Sequence, residues 1–244
     1  MPETAPRADY GVNAMGRISP RGLVAAWRGD GSALDRAGQS SGTAYGGVTY
    51  GPAMVGRGFY LNGSGAGIAV PDTEALRLSG SLTISAWIYI ESFPTLSQKM
   101  AMIVFRGDDR EGRDPFHLEI DALKRVRFQV EASQTDGADV SAPIGAGRFV
   151  LVTATLDHTT GRMRLYQNGR VVAETKTKVT PLKDLDPGQN PGIGIGNHGG
   201  WPRSGIHYPF HGMINEVLIY NRALSAMEVS ALYEDRTVVP SLTP

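Results

Sequence analysis

The sequence predicts an all-β fold, a sandwich or barrel, with one short helix near the C-terminus. Three observations carry this. Short apolar runs recur along the 244 residues with Gly, Pro, Asn or Asp between them, the pattern of many short strands joined by turns. Several of these runs alternate apolar and polar residues, as a strand with two unlike faces requires. Only the segment after Ser225 carries helix-start chemistry.

The runs come in order. "GLVAAW" (22–27), "GRGFYLNG" (56–63), "GIAVP" (67–71) and "SLTISAWIYI" (81–90) are followed by "MAMIVFRG" (100–107), "FHLEI" (116–120) and "RVRFQVEA" (125–132). Then come "RFVLVTATLD" (148–157), "RMRLYQNGRVVAET" (162–175), "GIGIG" (192–196) and "FHGMINEVLIY" (210–220). In 81–90, Leu82, Ile84, Ala86, Ile88 and Ile90 share one face, and Trp87 and Tyr89 lie on the other, which must also be partly covered. Asn168-Gly169 between two strands is a hairpin signal, because a type I′ turn needs positive φ at both central residues. Ser225 and Glu228 have capping-box spacing, and Leu224 and Val229 sit where a hydrophobic staple would, so a short helix is expected there as a lid on a sandwich edge.

The hydrophobic fraction is 41% and the charged fraction 20%, enough apolar material for a packed core. One domain is expected over 21–236, with a Pro/Gly-rich arm over 1–20 and a tail over 237–244. Lys and Arg balance Asp and Glu at 24 each, with no basic block, so nucleic acid is not an expected partner. There is no cysteine, which excludes disulfides, thiolate zinc sites and thiol nucleophiles. No stretch of about 18 apolar residues is present, so no membrane insertion is expected, and the N-terminus has no apolar segment of signal-peptide type.

Five segments in order, "RGLVAAWRGDGSALDRAGQSSG", "GRGFYLNGSGAGIAVP", "SLTISAWIYIES", "RFVLVTATLDHTTGRMRLYQNGRVV" and "FHGMINEVLIYNRALSAMEV", together resemble the laminin-G-like, pentraxin-like domains of the concanavalin A-like lectin/glucanase superfamily. The resemblance spans about residues 22–234. It implies a jelly roll of two packed antiparallel sheets. It further implies that 22–27 and 213–220 lie side by side, since such folds bring their ends together at one edge. The fold hosts lectins, adhesion domains and some glycosidases, so it does not name the activity.

The resemblance also directs attention to particular residues. Its Asp-x-x-Gly piece falls on Asp35, where the family has a calcium ligand or a loop anchor. Where the family usually carries Asp-Glu, this chain has Asn215-Glu216; by simple alternation Asn215 shares the face of Val217 and Ile219 and is a buried amide. Calcium is the implied cofactor, with Asp30, Asp35 and Asn215 as oxygen ligands, because a Gly/Ser-rich loop rich in oxygens suits a hard cation. The other reading of the same loop is Asx-turn chemistry without metal. Laminarinase-type glucanases of this fold use Glu-x-Asp-x-x-Glu; here Glu119 and Asp121 are present but Lys124 holds the third place. A retaining pair is therefore incomplete, and no catalytic residue is assigned.

The loop "GNHGGWPRSGIHYPFHG" (196–212) is the expected ligand site. Trp201 and Tyr208 would stack on a sugar face, and His198, Arg203 and His207 would bond its hydroxyls. Charged segments at 108–114 and 132–143 are candidate rims of a ligand groove. The sequence thus points to a non-catalytic carbohydrate-binding or adhesion module of a secreted or surface bacterial protein, with a carbohydrate or glycoconjugate as partner. Neighbouring domains of a larger protein are also implied. The alternatives are a glycoside hydrolase or polysaccharide lyase of the same superfamily, and a structural module packed on a catalytic neighbour.

Overall fold

The structure is a computed structural model and describes residues 21–108, 110, 113–198 and 208–235. In chain order the strands are β1 (Leu23–Trp27), β2 (Thr43–Tyr45), β3 (Thr49–Pro52), β4 (Arg57–Asn62), β5 (Gly67–Pro71), β6 (Leu82–Ile90), β7 (Met100–Gly107) and β8 (Phe116–Asp121). They continue with β9 (Arg125–Ser133), β10 (Asp136–Pro143), β11 (Phe149–Asp157), β12 (Arg162–Gln167), β13 (Arg170–Lys176), β14 (Gly192–Ile195) and β15 (His211–Tyr220), before α1 (Ala226–Glu234). Two antiparallel sheets form. The first runs β13-β12-β11-β6-β15-β4-β3, with β1 also paired to β15; the second runs β10-β9-β8-β7-β14-β5-β2.

Alternation builds the core between them. Leu82, Ile84, Ala86, Ile88 and Ile90 of β6 pack inward with Phe116, Leu118 and Ile120 of β8 and Val126, Phe128 and Val130 of β9. A second apolar layer covers the outer face of the first sheet. There Trp87, Leu151, Tyr166, Leu218 and Tyr220 meet Val229 and Leu232 of α1. The helix therefore lies on a sheet face, not on an edge as the sequence suggested, because Trp87 and its neighbours need cover. Its start is as expected: the Ser225 hydroxyl accepts from the Glu228 amide at 3.3 Å, and the Glu228 carboxylate accepts from the Ser225 amide at 2.8 Å. The β12–β13 hairpin turns on Asn168 (φ 50°) and Gly169 (φ 78°), as a type I′ turn requires.

β1 and β15 pair antiparallel, Trp27 opposite Val217 and Ala25 opposite Ile219, so the two ends do meet. β15 serves two partners on that side: residues 211–214 pair with β4, and 217–220 with β1. Between the two halves, β15 bulges against β6 at Asn215–Leu218, and Glu216 takes φ 50°. A bulge inserts an extra residue and reverses the facing of the residues beyond it. Ile214 and Val217 both point into the core. Asn215 instead pairs with Trp87 and shares its outer face. Simple alternation put Asn215 on the Val217 face; the bulge is why it is not there. It is nonetheless fully buried, and its Nδ2 donates to the Val55 carbonyl at 2.8 Å.

Candidate functional site

The outer face of the second sheet is polar where the outer face of the first is apolar. On β8 the inward residues Phe116, Leu118 and Ile120 alternate with His117, Glu119 and Asp121. On β9 the outward residues are Arg125, Arg127, Gln129 and Glu131, between inward Val126, Phe128 and Val130. Register aligns these side chains in rows. Phe105, His117, Gln129 and Asp139 stand opposite one another across β7 to β10, and Met102, Glu119, Arg127 and Ser141 form the adjacent row.

Toward the β9–β10 hairpin this face opens into a groove of about 290 Å³, lined by Arg127, Gln129, Glu131, Gly137 and Asp139 and rimmed by the 133–135 turn. Arg127 is held between two acids, Nε 3.1 Å from Asp139 Oδ2 and Nη1 3.5 Å from Glu119 Oε1. Gln129 Nε2 donates to Glu131 Oε1. Glu131 is half-buried, and burial raises its pKa from the ordinary value against the pull of Gln129, the Asp114 backbone and Arg127.

Toward β7 the same face is closed. Glu119 is fully buried and His117 nearly so. Glu119 Oε2 lies 3.4 Å from His117 Nε2, yet that oxygen and both His117 ring nitrogens lack hydrogen-bond partners. Such groups carry a desolvation cost that shows in their titration. Burial pushes the Glu119 pKa up to about 7, with Arg127 pulling it down and Asp121 and Asp139 pushing it further up. Burial pushes the His117 pKa down to about 3, helped by the charges of Arg127 and His198. The pair at 3.4 Å is accordingly a neutral imidazole beside a carboxyl, not an ion pair.

These shifts have opposite signs in stability. Glu119 binds its proton more tightly when folded, so its contribution falls as pH rises from its ordinary 4.5 to about 7. His117 resists protonation when folded, so its contribution grows as pH rises from about 3 to its ordinary 6.5. The slopes oppose over the shared window. Glu119→Gln removes the first slope. Urea unfolding should show the variant gaining about 2–3 kcal/mol on the wild type between acid and neutral pH. Parallel pH profiles for the two proteins would contradict the buried carboxyl.

Asp121 is committed to the β8–β9 turn. Its Oδ1 accepts from the Leu123 and Arg125 amides, both at 2.9 Å, and its Oδ2 from Arg125 Nε at 2.7 Å. Lys124 sits in the same turn at φ 62°. The glucanase-like spacing thus yields one buried carboxyl and one turn anchor.

The expected ligand loop divides. Trp201, Arg203 and His207 lie outside the described residues. His198 is not an exposed contact: it is 3% exposed, with its ring centroid 4.2 Å from that of Phe105. Tyr208 is half-buried, and its carbonyl accepts from the Met102 amide at 2.9 Å. Asn197 holds the neck of the loop, its Oδ1 accepting from the His198 amide at 2.9 Å and the Tyr208 amide at 2.8 Å. Both ends of this loop are therefore fastened over β7, beside the polar face.

The expected calcium ligands are occupied otherwise. Asp35 Oδ1 accepts from the amides of Ala26 (2.9 Å), Ala37 (3.0 Å) and Gly38 (3.0 Å), and Oδ2 from that of Ser40 (2.9 Å). Four N–H groups turn their positive ends to this carboxylate, so a cation there would face hydrogens. Asp30 pairs with Arg36 at 2.9 Å. Asn215 Oδ1 is buried without a partner but is a single neutral carbonyl. Glu216 is paired with Arg28 at 2.8 Å. These residues do not fit a calcium ion and read as loop anchors.

Sequence reasoning missed the groove residues Arg127, Gln129, Glu131 and Asp139 individually, although it pointed to 132–143 as a rim. Their signal was the alternation in "RVRFQVEA", whose polar members form one continuous face.

A laminin G family model, described as concanavalin A-like lectin/glucanases superfamily, matches residues 62–230. No curated protein matches the chain in sequence. Among solved structures, the binding domain of botulinum neurotoxin DC in complex with SialylT superposes with a TM-score of 0.65 at 15% identity, over 90% of this chain and 52% of that one. Domain 4 of a GH43 extracellular arabinanase from Geobacillus stearothermophilus, in complex with arabinotriose, gives 0.63 at 20% identity, over 86% of this chain and 98% of that one. Trypanosoma rangeli sialidase gives 0.61 at 17%, over 89% of this chain and 33% of that one. The chain thus spans about half the length of the neurotoxin chain it matches. At these identities the likeness is one of fold.

Proposed function

Because this chain belongs to the concanavalin A-like lectin/glucanase superfamily, we propose that it is a non-catalytic carbohydrate-binding or adhesion module whose ligand lies in the β9–β10 groove. One observation carries this reading. Arg127, Gln129, Glu131 and Asp139 project from adjacent strands into an open groove whose rim adds Ser133, Gln134 and Thr135. Planar amide, carboxylate and guanidinium groups on a rigid sheet suit a ligand rich in hydroxyls, and an apolar ligand would find little surface there. Trp201, Arg203 and His207, which lie outside the described residues, remain proposed glycan contacts. The solved complexes with SialylT and arabinotriose support a glycan ligand for the fold. The arabinanase domain belongs to an extracellular enzyme, and a module of a secreted or cell-surface protein is the setting proposed here.

Gln129→Ala and Asp139→Ala should each weaken retention on a polysaccharide gel several-fold, about 0.5–1.5 kcal/mol per lost polar contact. Their melting temperatures should stay close to the wild type. Unchanged retention in both variants would remove the groove from consideration.

A glycoside hydrolase or lyase is the second reading, favoured by Glu119, a buried carboxyl whose pKa of about 7 suits a general acid. The commitment of both Asp121 oxygens to the turn weighs against it. Product release from a polysaccharide panel, abolished in Glu119→Gln, would establish the enzyme reading over the binding one.

A further inference from the structure

We infer that the β9–β10 groove discriminates against negatively charged glycans and takes sugars without carboxylate or sulfate groups. This rests on the groove being the glycan site. Three carboxylates stand in or behind it, Glu131 and Asp139 in the lining and Glu119 beneath Arg127. The cation in the lining is Arg127, and it is already engaged on both sides, by Asp139 at 3.1 Å and by Glu119 at 3.5 Å. Two neighbouring carboxylates offset this charge, so the lining offers a ligand's anion little net attraction.

Glu119 is buried out of a ligand's reach, so its charge reaches the groove but its oxygens do not. An anionic glycan would bring a like charge to a lining in which carboxylates outnumber the guanidinium.

The experiment is affinity electrophoresis at about pH 8, where Glu119 is ionised. The probes are neutral arabinan, galactomannan and β-glucan, each compared with its own carboxymethylated derivative. The expected result is retardation by at least one neutral polymer and retention weaker by about fivefold to tenfold on its charged form. The gap should narrow when salt is raised from about 20 mM to about 500 mM, because screening weakens like-charge repulsion. It should narrow also in Asp139→Asn, which removes one negative charge and frees one side of Arg127, and in Glu131→Gln. Equal or stronger retention on the carboxymethylated polymers would overturn the inference while leaving glycan binding standing. A gap indifferent to salt and to both variants would overturn it too, by assigning the discrimination to shape. Retention on neither set would remove the glycan-binding reading, and the inference with it.

Discussion

Arg106→Ala should cost the domain about 3–5 kcal/mol of unfolding free energy, the largest single-residue effect expected here. Arg106 is fully buried. Its Nε and Nη2 reach the two Asp72 oxygens at 2.8 and 3.2 Å, and its Nη1 and Nη2 donate to the Leu182 and Lys183 carbonyls at 3.0 and 2.7 Å. One side chain thus fastens the segment after β5 and the crossing before β14 to the end of β7. Truncation would leave the Asp72 side chain, 4% exposed and paired otherwise with Arg77, short of its main partner, and would strip two carbonyls of their donors. Removing one member of a buried ion pair is costly for this reason, whatever the pair itself contributes. Arg106→Lys should recover only part of the loss, since an ammonium cannot form the two-pronged contact and reach both carbonyls. Urea denaturation measures both variants. A loss below about 1 kcal/mol for the alanine variant would mean the clamp is replaceable by water.

Asp35→Ala should cost about 2–4 kcal/mol, and calcium should change neither the variant nor the wild type. The figure reflects four amide donors on one carboxylate, discounted because part of the loop reaches water. The loop is also tied to the core by Trp27 Nε1, which donates to the Ser40 carbonyl at 2.9 Å. Losing Asp35 therefore disturbs the Ser40 turn and the β1 edge together. Thermal melts with calcium and with a chelator make the comparison. A calcium-dependent rise in the wild type that Asp35→Ala abolishes would contradict the anchor role, because a ligand that binds only the folded state raises its stability by mass action.

Much of the fold was legible because its causes are local. Alternation in 81–90 placed Leu82 to Ile90 correctly, Asn168-Gly169 marked its hairpin, and Ser225 with Glu228 marked the helix start. Asn215 was misplaced because its facing depends on a bulge, and the bulge arises where β15 changes partner from β4 to β1. No residue within β15 announces that change; it is a property of the sheet. The candidate site divides along the same line. The polar stripe of β9 was present in the sequence as alternation. The burial of Glu119 and His117 was not, since it depends on contacts made across the sheet, such as the Phe105 ring that meets both His117 and His198. Asp35 looked like a metal ligand because carboxylate-rich loops serve cations and backbone amides alike. Which of the two it serves is decided by where the amides of Ala26 and Ser40 point.

The most direct measurement is a nuclear magnetic resonance titration of the isotope-labelled protein with a neutral oligosaccharide cut from the best-retained polysaccharide. Binding in the groove predicts that the amide and side-chain signals of Arg127, Gln129, Glu131, Ser133 to Thr135 and Asp139 shift together along one saturation curve, while those of α1 and of the 28–42 loop stay in place. Shifts centred on the 28–42 loop or on the helix-covered face, with the β9–β10 signals unmoved, would contradict it.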